Sequence, residues 1–306
     1  MMSRTARRLP VYSDDGTYEI AITRYGDARS RRRLLCLPGI LETSEGFHHL
    51  IRQMSSAQTF AFDFAGRGAS DYLPGVSSYR MSRCLREAWA AYAYLLGTFE
   101  RLSGAGTLQA LLPFDRLLSD KAHVHLVGNS MGGLLGIFMA GQRPAALCSL
   151  VINDVGSLIS WSSLISLYGA LSRTSILPQS VHGLSGGSRQ LAERLDVDHK
   201  LMSAIMQPSY LDLAHSREIA GLSFRPAFEA VEVPVLVIHS EDSPIFTPSV
   251  HKAMHDLPSN YSFLSVEGNA HPAAYSENVC EKIAEFMDAA EASSTPGAHG
   301  EMVSVC

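Results

Sequence analysis

A chain of 306 residues, 46% apolar and 18% charged, can bury a sizeable core as one large α/β domain with an insertion, or as two small domains. Its formal net charge of −5 argues against a nucleic-acid partner, and the basic clusters around Arg4, Arg7 and Arg8 and at Arg31, Arg32 and Arg33 are short. No apolar run is long enough to span a bilayer, and the odd set of cysteines (Cys36, Cys84, Cys148, Cys280, Cys306) fits reduced thiols in a cytoplasmic protein rather than a disulfide framework.

The basic opening from Met1 to Arg8 has no apolar segment behind it and so is no secretory signal. Its lack of acidic residues leaves an organelle transit peptide open. From Tyr18 to Tyr25 the chain alternates as a half-buried strand does, with Tyr18, Ile20 and Ile22 on one face. Arg33–Leu37 and Thr59–Asp63 are short apolar runs of the kind found in a sheet covered on both faces, with a helix expected between them from Phe47 to Ser55. A longer helix is expected from Tyr79 to Leu102, where Trp89, Tyr92, Leu95 and Leu96 recur at helical spacing. Residues 104–120 then lengthen the connection to the strand Val124–Val127 and read as a surface insertion. A helix, the strand Leu150–Ile152, the strands Val233–His239 and Phe263–Val266, and an amphipathic helix from Glu277 to Ala292 complete the order.

This alternation implies a mostly parallel central sheet with helices on both faces. The core is expected to comprise residues 1–156 and 231–292. Residues 157–230 interrupt it with a helical stretch rich in Ser, Leu, Tyr and Met, read as an inserted cap. Residues 293–306 have no period and read as a disordered tail.

The chemistry concentrates at Gly128-Asn129-Ser130-Met131-Gly132-Gly133, directly after Val124–Val127 and directly before an apolar helix. A sharp strand-to-helix turn at Gly-x-Ser-x-Gly lifts the serine hydroxyl clear of the backbone and needs small neighbours. The helix N-terminus favours developing negative charge there. Ser130 is therefore the expected nucleophile. The expected base is His271, in the loop Gly268-Asn269-Ala270-His271-Pro272 after the last strand, because loops at the carboxyl edge of a parallel sheet converge on its crevice. Oxyanion donors are expected from the backbone of Met131 and of Ile40, the latter in the Leu37-Pro38-Gly39-Ile40 turn. His239 reads as a packing or supporting residue, and His48 and His49 as a helix surface.

These motifs, with Asp63-Phe64-Ala65-Gly66-Arg67-Gly68-Ala69-Ser70-Asp71 and Asn153-Asp154-Val155-Gly156 between them, make the chain resemble an α/β-hydrolase of the esterase-like branch over about residues 18–290. The resemblance implies the α/β-hydrolase fold with an inserted helical cap, and makes the segment from Asp63 to Asp71 a structural turn in which Arg67 anchors loops. The Gly-Asn-Ser-Met-Gly wording is also similar to that of meta-cleavage product hydrolases, which break carbon–carbon bonds. Those usually carry His-Gly where this chain has Pro38-Gly39. The family usually places its acid after the strand Val233–His239, at the fourth position of a Gly-x-x-Asp loop; here the chain reads His239-Ser240-Glu241-Asp242-Ser243-Pro244, and the expected position, counted from Ser240, holds Ser243. Asp242, one residue early, is the favoured acid, and Asp154 is the alternative, since some branches take the acid from that earlier strand end.

The resulting expectation is a serine hydrolase acting on a small or medium carboxylic ester, thioester or lactone through an acyl-enzyme, with a triad of Ser130, His271 and Asp242 and without metal or organic cofactor. Trp161, Tyr168, Met202 and Met206 of the cap are the candidate pocket residues. The only partner expected is a small-molecule substrate, with no nucleic acid and no membrane; the oligomeric state is not legible. Two other readings stand beside it: a carbon–carbon bond hydrolase of the meta-cleavage type, and a non-catalytic ligand-binding protein on the same fold, motivated by the missing acid at the usual position.

Overall fold

The computed structural model describes residues 3–98, 122–144, 146–171 and 194–294. The apolar runs form an eight-stranded sheet, and the helices between them cover its two faces. The first half of the order is β1 (Arg4–Ser13), β2 (Gly16–Gly26), β3 (Arg32–Leu37), α1 (His48–Gln53), β4 (Gln58–Phe62), α2 (Met81–Leu96), β5 (His123–Asn129), α3 (Met131–Ala140) and β6 (Leu147–Asn153). There follow β7 (Leu158–Ser160), α4 (Trp161–Leu171), α5 (His199–Ile205), β8 (Ser216–Arg217), β9 (Gly221–Ser223) and α6 (Arg225–Glu229). The sheet resumes with β10 (Val235–Ser240), α7 (Pro248–Met254), β11 (Tyr261–Val266) and α8 (Glu277–Ser294).

In space the strands run β1-β2-β4-β3-β5-β6-β10-β11. All pairs from β4 to β11 are parallel; β1 and β2 are the antiparallel margin. This is the α/β-hydrolase arrangement that the motifs imply. Alternation along each strand divides the core in two. Leu35, Leu37 and Leu126 face α2 and α3. Leu34, Cys36, Val127 and Val151 face Phe47, Ile283 and Met287 of the α1 and α8 side. Cys36, Cys84, Cys148 and Cys280 are buried. Among the described residues no helix is long and apolar enough to cross a membrane.

Three differences from the expected order have local causes. Arg4–Ser13 forms an edge strand that pairs with β2 from Arg4↔Tyr25 to Ser13↔Gly16; its exposed arginines hide the strand pattern and at an edge discourage further pairing. The helix expected to reach Leu102 stops at Leu96, because Gly97 turns left-handed (φ 75°) and returns its N–H to Tyr94 while Thr98 bonds Ala93. The interrupting segment 157–230 contains helices, as expected, and also a small antiparallel sheet β7-β9-β8 whose strands are too short to show a period. The insertion expected at 104–120 lies outside the described residues, as do the last twelve residues of the tail, 295–306.

Candidate active site

β5 ends at Asn129 and α3 begins at Met131, so the chain reverses at Ser130 alone. Its backbone sits at φ 49°, ψ −115°, a region that side chains other than glycine's rarely adopt. The Ser130 N–H donates to the carbonyl of Asn153 at 2.8 Å, which fixes the turn against β6. Close approach explains the glycines: a Cβ on Gly128 would lie 2.4 Å from the Gly133 nitrogen, and one on Gly132 would lie 1.9 Å from the Leu37 carbonyl oxygen. The second contact also brings the first turn of α3 against the end of β3, where the Pro38-Gly39-Ile40 turn begins.

Three side chains form a continuous hydrogen-bonded line. His271 Nε2 lies 2.9 Å from Ser130 Oγ, and His271 Nδ1 lies 2.6 Å from Asp154 Oδ2. Asp154 is the residue after β6; it has φ 61°, is fully buried, and is held by its N–H to the Ile238 carbonyl at 2.7 Å. Its carboxylate takes two further donors, Ser243 Oγ–H at 2.6 Å and Ser240 N–H at 3.3 Å. The imidazole side chain is 24% exposed and the serine is partly exposed, so the open end of the line faces solvent.

The favoured acid of the sequence reading is therefore misplaced: Asp154, the alternative, meets His271, and Asp242 does not. The turn after β10 is the cause. Ser243 N–H closes it onto Ser240 O, and Asp242 N–H is taken by Gly268 O. That geometry turns residue 243 inward, where Ser243 is 8% exposed, and leaves Asp242 on the surface. Glu241 is also exposed. Sequence reasoning missed Ser243 as a partner of the acid. The signal was available, since Ser243 stands at the position that usually holds the carboxylate, and its hydroxyl bonds the carboxylate that meets His271 instead.

The turn that carries Ile40 is tied down on several sides. Glu42 Oε2 accepts the Gly39 N–H at 2.8 Å. Arg67, fully buried, donates Nε–H to the Ile40 carbonyl and Nη1–H to that of Ala65, both at 2.9 Å, and Nη2–H to Tyr210 Oη at 3.3 Å. Desolvation works against its charge, yet the nearby Tyr210, Cys84 and Glu87 leave its pKa raised. Arg67 thus anchors loops, as the resemblance implies. Tyr210 belongs to the interrupting segment and its hydroxyl also reaches Met131 Sδ at 3.4 Å. Val197 bridges to Arg67, and Asp198 N–H bonds Gly66 O, so this segment is stitched to the Ser130 side of the sheet.

The four candidate pocket residues have different surroundings. Met202 is 2% exposed within the core and has no surface to offer a ligand, which corrects its assignment. Trp161 and Met206 are each 39% exposed and Tyr168 is half-buried. The Trp161 indole N–H donates to Glu218 O at 3.1 Å. His239 stacks on Phe246 at 4.7 Å, in a packing role, and His48 and His49 are exposed on α1.

The model of the alpha/beta hydrolase family matches residues 34–285. A 3-hydroxybutyrate-oligomer hydrolase from Cupriavidus necator is 26% identical over 153 residues, half of this chain; the match spans 44% of that protein's length. An alpha/beta hydrolase from Novosphingobium aromaticivorans superposes with a TM-score of 0.66 at 21% identity, covering 94% of this chain and 99% of that one. Carboxylesterase CesB from Bacillus subtilis gives a TM-score of 0.61 at 15% identity, with 92% of each chain covered.

Proposed function

The chain belongs to the alpha/beta hydrolase family, and on that footing we propose that it is a serine hydrolase of carboxylic esters that works through an acyl-enzyme. The observation that carries this reading is the line Ser130–His271–Asp154 at 2.9 and 2.6 Å. With Nδ1–H held by Asp154, the Nε2 lone pair faces the serine hydroxyl, the tautomer a general base needs. Ser130 Oγ attacks the substrate carbonyl as its proton passes to Nε2. The N–H groups of Ile40 and Met131 receive the oxyanion, each worth on the order of 3 kcal/mol in comparable sites. The imidazolium protonates the departing alkoxide. Water, deprotonated by the same nitrogen, then attacks the acyl-serine and releases the acid and the free hydroxyl.

Esters are favoured over the other readings on particular grounds. The non-catalytic reading drew on a missing acid, and a buried carboxylate now stands on His271. Asn129, whose identity carried the similarity to carbon–carbon hydrolases, is 1% exposed with its carboxamide engaged by Tyr275 and Glu42. The similarity to a hydrolase of 3-hydroxybutyrate oligomers lends support to an ester of small acids. The segment 157–230 serves in this reading as a cap, with Trp161, Tyr168 and Met206 as its pocket-facing candidates. The test is turnover of p-nitrophenyl esters of graded acyl length beside a vinylogous diketone. The expected result is a burst of nitrophenol with short esters, no diketone cleavage, and loss of both burst and turnover in Ser130→Ala. Diketone cleavage without ester turnover would overturn the assignment.

A further inference from the structure

Two asparagines stand directly before the two residues that flank His271. Asn129 precedes Ser130 at the end of β5, and Asn153 precedes Asp154 at the end of β6. They are register partners in the parallel pair. Strand alternation places both on the face of Val127 and Val151, toward α1 and α8. They are 1% and 0% exposed, and a buried carboxamide is costly unless its donors and acceptor are bonded.

Their partners lie in the loop that follows His271. Asn153 Nδ2–H donates to the Ala273 carbonyl at 2.9 Å, and its Oδ1 accepts the Ala273 N–H at 3.1 Å, so one side chain takes both backbone groups of one loop residue. Asn129 Oδ1 accepts the Tyr275 hydroxyl at 2.5 Å, while its Nδ2–H donates to Glu42 Oε2 at 3.2 Å. The same Glu42 oxygen holds the Gly39 N–H. Neither carboxamide can be reversed without setting donor against donor or acceptor against acceptor. Burial raises the Tyr275 phenol well above its ordinary range, which keeps its O–H a donor. On the other side of His271, Ser240 Oγ–H holds the Ala270 carbonyl at 2.7 Å.

We propose that Asn129 and Asn153 are positioning residues that brace the His271 loop onto the two strand ends carrying Ser130 and Asp154. The inference rests on the reading of Ser130 and His271 as nucleophile and base. Packing alone does not call for this pair, since two apolar side chains would fill the same volume beside Val127 and Val151. The brace works by distance: the strand ends fix Ser130 and Asp154, and the asparagines fix the loop to the same two ends. His271 is thereby held to both partners at once. A displacement of about 1 Å in such a site can cost on the order of 10²-fold in rate. Through Glu42 the brace also reaches the Gly39-Ile40 turn, so base and oxyanion donor share one support.

The experiment compares kcat and KM of Asn153→Ala, Tyr275→Phe and Ser149→Ala on a short aryl ester, with thermal unfolding of each. Ser149→Ala removes a buried hydrogen bond, to His125, from the other end of β6 and reports what such a loss does to stability alone. The expected result is a fall in kcat on the order of 10- to 100-fold for Asn153→Ala and several-fold for Tyr275→Phe, with KM little changed and Ser149→Ala kinetically normal. Wild-type kcat in folded Asn153→Ala overturns the brace. Should that variant not fold, Tyr275→Phe decides, because it deletes one hydroxyl and keeps the ring on Phe47; normal kcat there overturns it equally. Ser130→Ala separates the two levels. If it still turns over ester, the serine reading fails and the brace with it. If it is dead while both brace variants run at wild-type kcat, only the brace fails.

Discussion

Asp154 takes three donors: the His271 Nδ1–H and Ser243 Oγ–H, each 2.6 Å from Oδ2, and the Ser240 N–H on Oδ1. Asp242 lacks all three and faces water. An amide in place of the orienting carboxylate costs about 10⁴ in turnover in chymotrypsin-like enzymes, because the imidazole is then held in the wrong tautomer. Asp154→Asn is expected to lose on the order of 10³-fold or more in kcat/KM, and Asp242→Asn to stay close to wild type. Kinetics of the two variants, matched by unfolding curves, check this; a crippled Asp242→Asn beside a normal Asp154→Asn would reverse the assignment. Sequence spacing offered both aspartates and preferred the wrong one. Loop position in the chain was visible, but which residue of Ser240–Ser243 points inward depends on a turn closed by Ser243 N–H and on Gly268 O, and neither bond has a local sequence signature.

At the scale of elements, what was legible is what repeats or punctuates. The buried strands β3, β4, β5, β6 and β10 announce themselves as apolar runs because both of their faces are covered. The elbow was legible because its glycines answer a steric demand of the chain reversal itself. β1 was not, since an edge strand with arginines outward shows no alternation over most of its length. The end of α2 was misjudged for a related reason: apolar periodicity continues toward Leu102, and only the left-handed Gly97 says where the helix stops. The side of the sheet to which 157–230 attaches is fixed by contacts far apart in sequence, such as Arg67 with Val197 and Tyr210 with Met131. No window of sequence contains them.

At the scale of the molecule, the end of the sheet opposite Ser130 is closed by a charged cluster. Glu291 of α8 meets Arg32 of β3 at 2.5 Å, His125 of β5 at 2.9 Å and His123 at 3.2 Å, and Asp288 takes a second bond from Arg32. Burial alone would raise the Glu291 pKa, but hydrogen bonds from His125 and Arg32 and the Arg32 charge bring it well below the ordinary carboxylate range. His125 is fully buried and its pKa is lowered, chiefly by that burial, so as a neutral ring it donates Nε2–H to Glu291 and accepts the Ser149 hydroxyl at Nδ1. Both shifts have the same sign in linkage. A depressed carboxylate stabilises the fold above its unfolded-state pKa of about 4.3, and the gain is lost as pH falls toward the folded value. A depressed histidine loses its share as pH falls below about 6.5, where the unfolded chain takes up the proton. Glu291→Gln is expected to unfold at lower temperature than the wild type at pH 7, with the gap narrowing as pH drops below about 4. Thermal unfolding across that range checks it, and a constant gap would count against the ionised Glu291 as the anchor.

The central claim is that His271, oriented by Asp154, makes the Ser130 hydroxyl a nucleophile, and a fluorophosphonate probe reads that property without any assumption about the substrate. Mass spectrometry of the labelled protein is expected to place the adduct on Ser130 alone, with no labelling of Ser130→Ala and labelling slowed by orders of magnitude in His271→Ala. An unlabelled wild-type protein, or an adduct that forms at the same rate without His271, would contradict it.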